Sequence, residues 1–283
     1  MSFSADVKEE LAKVENTARH CQIAELAAIA VYAGVVKGDL GTFAERFQPD
    51  NPHVADRWSL LLEKLFSTND DENKILQTIK YKKGDTTVDS LIIKSLCCKR
   101  AFLRGAFLGI GSMSNPEKGY HLEFVCSDTG QAEQLVETLL VYEIKARVVA
   151  RKKYQVVYIK ESEEISTLLN VIGAHISLMN LENLRILKDM RNAINRKVNC
   201  EAANITKTVN AATKQIEDIQ YIKEHYGFDN LAQNLRQIAE IRLEYPDATL
   251  KELGQYLTPN VGKSGVNHRL RKLSELAGQL RGD

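Results

Sequence analysis

Between residues 261 and 273 the chain carries Lys263, Arg269, Arg271 and Lys272 and no acid, with Ser264, Asn267 and His268 interleaved. Arginine can pair both acceptors of a guanine edge and asparagine can pair adenine, while a lysine at a helix start can hold a phosphate. The spacing of Val266, Leu270, Leu273, Ala277 and Leu280 by four, three, four and three predicts a helix with one apolar stripe. At about 100° per residue, the side opposite that stripe carries Ser264, His268, Arg271 and Lys272, flanked by Asn267 and Arg269. This is the donor set of a major-groove reader. The alternative is a solvated face whose basic residues answer only the helix dipole.

The elements that must position those donors favour the first reading. Residues 249–257 form a short helix with Leu250, Leu253 and Leu257 on one face and Gly254 on its flank, where a small residue lets a second helix cross closely. Pro259 and Gly262 break that helix, and Ser264 is predicted to cap the next. A preceding helix through Leu231, Leu235, Ile238 and Ile241 stops at Tyr245 and Pro246. Together they read as a helix-turn-helix unit over 229–283.

Upstream, residues 101–109, 120–126, 131–142, 145–151, 154–160 and 165–172 read in the order helix, strand, helix, strand, strand, helix. They belong to a helix-strand-strand-helix-strand-strand-helix repeat. The order recurs less clearly nearer the start: a helix at 24–33, a strand at 40–48, a helix at 55–66, and a hairpin of 75–82 with 88–94, but no third helix. In the strand 145–151, Lys145, Arg147 and Arg151 share one face, which would suit phosphates or merely solvent. Between 185 and 214 a helical arm carries Arg185, Lys188, Arg191, Arg196, Lys197, Lys207 and Lys214 against Asp189 and Glu201. It is read as a contact to the DNA backbone or to a partner such as RNA polymerase or a sigma factor, or as a solvated face.

The 283 residues carry a net charge of +1, so it is the clustering of charge that bears on a polyanion. The start lacks an export signal and the longest apolar run, 26–36, is far too short for a bilayer, so a cytoplasmic, nucleoid-associated protein with no membrane contact is expected. The cysteines at 21, 97, 98 and 126, with His20 and His121, show no Cys-x-x-Cys spacing; they are read as buried thiols, with no metal and no cofactor expected. Cys200 is expected to pack within the arm, and Trp58 within the core.

Several runs together resemble the WhiA family of bacterial transcription regulators: 249–253 (Thr-Leu-Lys-Glu-Leu), 263–273, 97–107 (Cys-Cys-Lys-Arg-Ala-Phe-Leu-Arg-Gly-Ala-Phe), 120–123, 173–175, 189–192, and 198–204 with Lys207 and Thr208. The opening Met-Ser-Phe-Ser fits as well; the match is weak between 35 and 96. The resemblance implies an α+β fold: a two-repeat domain like the LAGLIDADG homing endonucleases over 1–178, its first repeat (1–94) shortened and its second spanning 95–178. A basic helical linker over 179–228 and an all-α helix-turn-helix domain follow. It implies sequence-specific binding of double-stranded DNA in control of sporulation or cell-division and chromosome-segregation genes. The alternative is an adaptor docking on the transcription machinery with weak DNA binding. Homing nucleases end each repeat's first helix with a metal-binding acid. Here Ala33 and Ile110 fall at those positions, so no nuclease activity is expected. Ala27, Ala28, Gly105 and Gly109 keep the two helices close.

Overall fold

The computed structural model describes residues 2–15, 17–37, 47–49, 51–67 and 71–282, and the structural statements that follow concern these. The chain forms two compact units, Met1–Lys188 and Asp189–Asp283.

The first unit is built on two helices, α2 (Arg19–Tyr32) and α5 (Leu96–Ile110), that are buried on nearly every side. Their apolar residues show no single stripe because each helix is central to the core. They meet at Gly105, where a Cβ would stand 2.4 Å from the Glu25 carbonyl oxygen and 2.8 Å from the Ala28 Cβ; farther along, Gly109 faces Ala33. Around this pair lie α1 (Phe3–Ala12), which begins at Ser2, and α3 (Pro52–Leu65), which begins at Asn51 with proline at its first position. The Ser2 hydroxyl accepts from the Ala5 amide and the Asn51 side chain from that of His53, each satisfying a first-turn donor.

After α5 the second repeat continues through β1 (Gly111–Met113), β2 (Leu122–Cys126), α6 (Thr129–Leu140), β3 (Arg147–Arg151), β4 (Tyr154–Ile159) and α7 (Ser162–Ile172). The strands make one antiparallel sheet in the order β1-β2-β4-β3, with Phe124 opposite Val157 and Val149 opposite Val156. Alternation along β2 sends Leu122, Phe124 and Cys126 into the core with Val157 and Ile159. The predicted elements of this repeat are all present, with ends moved by at most five residues.

The first repeat departs from expectation. Residues 75–82 do not form a strand: Asp71 accepts from the Lys74 amide and starts α4 (Glu72–Thr78), which buries Ile75 and, just past its end, Ile79. Isoleucines four apart suit a helix, and the left-handed Lys80 (φ 52°) ends it. Residues 88–94 form turns rather than the second strand of a hairpin. The Gln134 side chain, from α6, accepts from the Val88 amide (2.9 Å) and donates to the Val88 carbonyl (2.7 Å), standing in for a neighbouring strand. The expected strand 40–48 lies outside the described residues except for Phe47 and Gln48, which are not in a strand. Among the described residues, the sheet therefore belongs to the second repeat alone.

A helix of 51 residues, α8 (His175–His225), follows. Its first turn is capped from α1, since the Glu10 carboxylate accepts from the amides of Ile176 (2.7 Å) and Ser177 (2.9 Å) and from the Ser177 hydroxyl. The division between the two units falls inside this helix, within the segment expected to serve as a linker. The second unit packs the last turns of α8, through Ile219 and Ile222, with α9 (Gln233–Glu244), α10 (Leu250–Tyr256) and α11 (Lys263–Arg281). Arg281 donates to the buried Asp218 carboxylate at 2.7 Å and lies over the Tyr221 ring, tying the end of α11 to α8.

Candidate nucleic-acid interface

The second unit presents α10 and α11 as a helix-turn-helix. Thr249 and Glu252 form a reciprocal capping box at the start of α10, and the Thr249 amide on its carboxylate holds Glu252 below the usual carboxylate range. The turn between the helices is fastened by the Val261 amide donating to the Gly254 carbonyl at 3.0 Å. A Cβ on Gly254 would lie 2.0 Å from the Val261 carbonyl oxygen, so the residue's smallness serves this turn as well as the crossing of α11. Gly254→Ala should lower the stability of this unit by about 2 kcal/mol through backbone displacement; a denaturant midpoint equal to that of the unsubstituted protein would show that the turn can move freely.

In α11, Val266, Leu270, Leu273 and Ala277 are each at most 1% exposed and Leu280 is half-buried, the stripe expected from their spacing. Lys263, Ser264, Asn267, His268, Arg271 and Lys272 are exposed, whereas Arg269 is half-buried on the border of the stripe. Ser264 does not cap the helix. Gly262, in extended backbone, is the N-cap, and Ser264 lies in the first turn, since the helix begins at Lys263. A glycine cap has no side chain for the first amides, which leaves that turn suited to an anion. One neighbour of the donor face was not anticipated: Glu275, two residues beyond the acid-free run and one turn on from Arg271, accepts from Arg271 Nε at 3.0 Å. With Arg271 77% and Glu275 58% exposed, this pair contributes only tenths of a kcal/mol.

The other two groups are less concentrated. Arg147 and Arg151 lie on the edge strand β3 and share the sheet's open face with their partners Tyr158 and Tyr154. Lys145 precedes the strand, with its amide directed at Glu164. Every residue of β3 is exposed, so neither of its faces is packed. Arg191, Arg196 and Lys197 are all exposed on α8, but at about 100° per residue they point in three directions. Within the second unit, the basic side of this helix is instead formed by Arg196, Lys207 and Lys214, opposite a stripe of Met190, Ile194, Val198, Ile205 and Val209, each more than half exposed. Cys200 is exposed rather than packed in the arm, and Trp58 is buried.

Ala33 and Ile110 stand at the adjoining ends of the central helices and line a cavity of about 600 Å³. Among the described residues lining it, Lys8, Gln48, Asn51 and Ser127 supply polar groups and no carboxylate is present. Tyr32, also at its edge, donates to the Gln131 carbonyl, and burial holds its phenol well above the usual range. The described residues lining it thus include no pair of acids of the kind that holds metal ions against a phosphodiester.

Comparison with known proteins places both parts of the chain in one family. A family described as WhiA C-terminal HTH domain matches residues 194–277, and one described as WhiA LAGLIDADG-like domain matches residues 99–191. The probable cell division protein WhiA of Lachnoclostridium phytofermentans is 48% identical over 312 aligned positions, covering 99% of this chain and 100% of that one. That of Alkaliphilus oremlandii is 44% identical, covering 99% and 98%. The full-length DUF199/WhiA crystal structure from Thermatoga maritima has a TM-score of 0.60 and 25% identity over 99% of both chains. The described helices include none long and apolar enough to cross a membrane.

Proposed function

The chain belongs to the WhiA family, and from that premise we propose that it is a sequence-specific, double-stranded-DNA-binding transcriptional regulator of cell-division, chromosome-segregation or sporulation genes. The observation that carries this reading is the division of α11 into a buried apolar stripe, Val266, Leu270, Leu273 and Ala277, and an outward face of Asn267, His268, Arg271 and Lys272, with Lys263 at its start. The buried side anchors the helix and the outward side offers donors to base edges and phosphates. The protein acts in the cytoplasm, at the nucleoid.

A second reading, an adaptor docking on RNA polymerase or a sigma factor, draws on the exposed apolar stripe of α8, which suits a protein partner better than phosphates. Titrating salt into the complex with selected genomic duplexes separates the two. With roughly five phosphate contacts, affinity should fall about 10²–10³-fold between about 50 and 200 mM salt; a flat profile favours the adaptor.

A further inference from the structure

The first turns of the two central helices bring together four groups that sequence spacing kept apart. His20 and Cys21 open α2, Cys97 and Cys98 open α5, and one ligand atom of each lies within 4.8 Å of all the others. His20 Nδ1 is 3.1 Å from Cys98 Sγ and 3.3 Å from Cys21 Sγ, across 78 residues of sequence in the first case. We propose that these four residues form a structural zinc site that clamps the two repeats at their helix N-termini.

The dimensions suit that ion. Zinc holds sulfur at about 2.3 Å and imidazole nitrogen at about 2.0–2.1 Å, which puts tetrahedral ligands roughly 3.5–3.8 Å apart. From separations of no more than 4.8 Å, shifts of about an ångström bring the four atoms to those distances. Three sulfurs and one imidazole fill all four positions, the arrangement of a closed structural site rather than a catalytic one.

The surroundings are also those of a built site. Ser95 is the N-cap of α5, yet its hydroxyl makes no capping bond. It donates instead to Cys98 Sγ at 3.0 Å and lies 3.3 Å from Cys97 Sγ, as an outer-shell donor to a ligating thiolate would. Both helix N-termini favour negative charge on the thiolates. Cys21 and Cys98 are buried while His20 and Cys97 are exposed on a cleft of about 770 Å³ that also carries Lys80 and Lys94, giving the ion a way in. The scaffold is held independently by the contact of Gly105 with Glu25 and Ala28, so the pairs are presented at a set separation. Binding Zn²⁺ to neutral imidazole and three thiols releases three protons to solvent and leaves a site of charge −1.

The test uses the full chain, kept reduced and purified without chelator. It should retain equimolar zinc, and after removal of that zinc it should bind Co²⁺ with the d–d bands of a tetrahedral centre and a thiolate-to-cobalt charge-transfer band, both abolished by added Zn²⁺. Cys97→Ser should weaken zinc by roughly 100-fold or more and Ser95→Ala by about tenfold. The exposed His20→Ala keeps the test decisive should the cysteine variant misfold, because it should lower affinity and shift the cobalt bands with the helices intact. Fully reduced protein that takes up neither metal, a Cys97–Cys98 or Cys21–Cys98 disulfide recovered in place of zinc, or unchanged affinity in His20→Ala and Cys97→Ser would overturn the assignment.

Discussion

Replacing Arg271 and His268 together with alanine should abolish sequence-specific DNA binding while leaving the helical signal and thermal midpoint of the protein unchanged. Both side chains are exposed on α11, and the leucines that hold the helix are on its other side, so truncation takes nothing from the core. The Arg271 partner in the free protein is Glu275, in an exposed pair that DNA can displace at a cost of tenths of a kcal/mol. A well-formed base contact contributes about 1–3 kcal/mol of discrimination, so losing two should reduce specific affinity by roughly 100-fold or more, towards that for scrambled duplex. Fluorescence anisotropy with a genomic fragment selected by the protein, run against a scrambled competitor, reads this directly. Unchanged specificity would refute the face assigned to α11. If neutralising Arg147 and Arg151 caused the loss instead, recognition would belong to the open face of the sheet.

How much of this could be read from the sequence depended on whether the signal was local. The α11 stripe has a period that only a helix satisfies, and its opposite face followed by geometry. The second repeat was legible because β2 alternates against a sheet with one covered face. The hairpin expected at 75–82 and 88–94 failed because Ile75 and Ile79 fit a helix as readily as a strand, and because Gln134, far along the chain, satisfies Val88 in place of a strand neighbour. The cap expected at Ser264 fell to Gly262 because a turn glycine in extended backbone can start a helix without a side-chain bond. The His20, Cys21, Cys97 and Cys98 cluster had no local signature at all. Its ligands come as two adjacent pairs, and only the crossing of α2 and α5 makes them neighbours. Glu25, set in a run of alanine, leucine and isoleucine, is fully buried, and nothing in its local sequence signals the distant arginines that pair with it.

Glu25→Ala should be among the most damaging single changes in the first unit. Its carboxylate takes a two-pronged contact from Arg57, Nε at 2.7 Å and Nη2 at 3.0 Å, and a third bond from Arg104 Nη1 at 3.0 Å. Both arginines continue to helix ends: Arg57 donates to the Ala12 carbonyl that ends α1 and to the Val14 carbonyl just beyond it, and Arg104 to the Ile172 carbonyl that closes α7. One acid thus organises two cations that satisfy the free carbonyls of two further helices. Removing it strands two guanidinium groups in the interior, which costs about 3–5 kcal/mol and should lower the melting temperature of the first unit by about 10 °C. A triple variant, Glu25→Leu with Arg57→Met and Arg104→Met, tests why the network is there. If the arginines served only Glu25, an apolar replacement would restore stability. Because they also serve three carbonyls, the triple variant should regain only part of the loss, each carbonyl left without a donor costing about 1 kcal/mol or more. A melting temperature for Glu25→Ala within measurement error of the parent would mean that water reaches the site, and full recovery in the triple variant would mean that the helix ends do not depend on these donors.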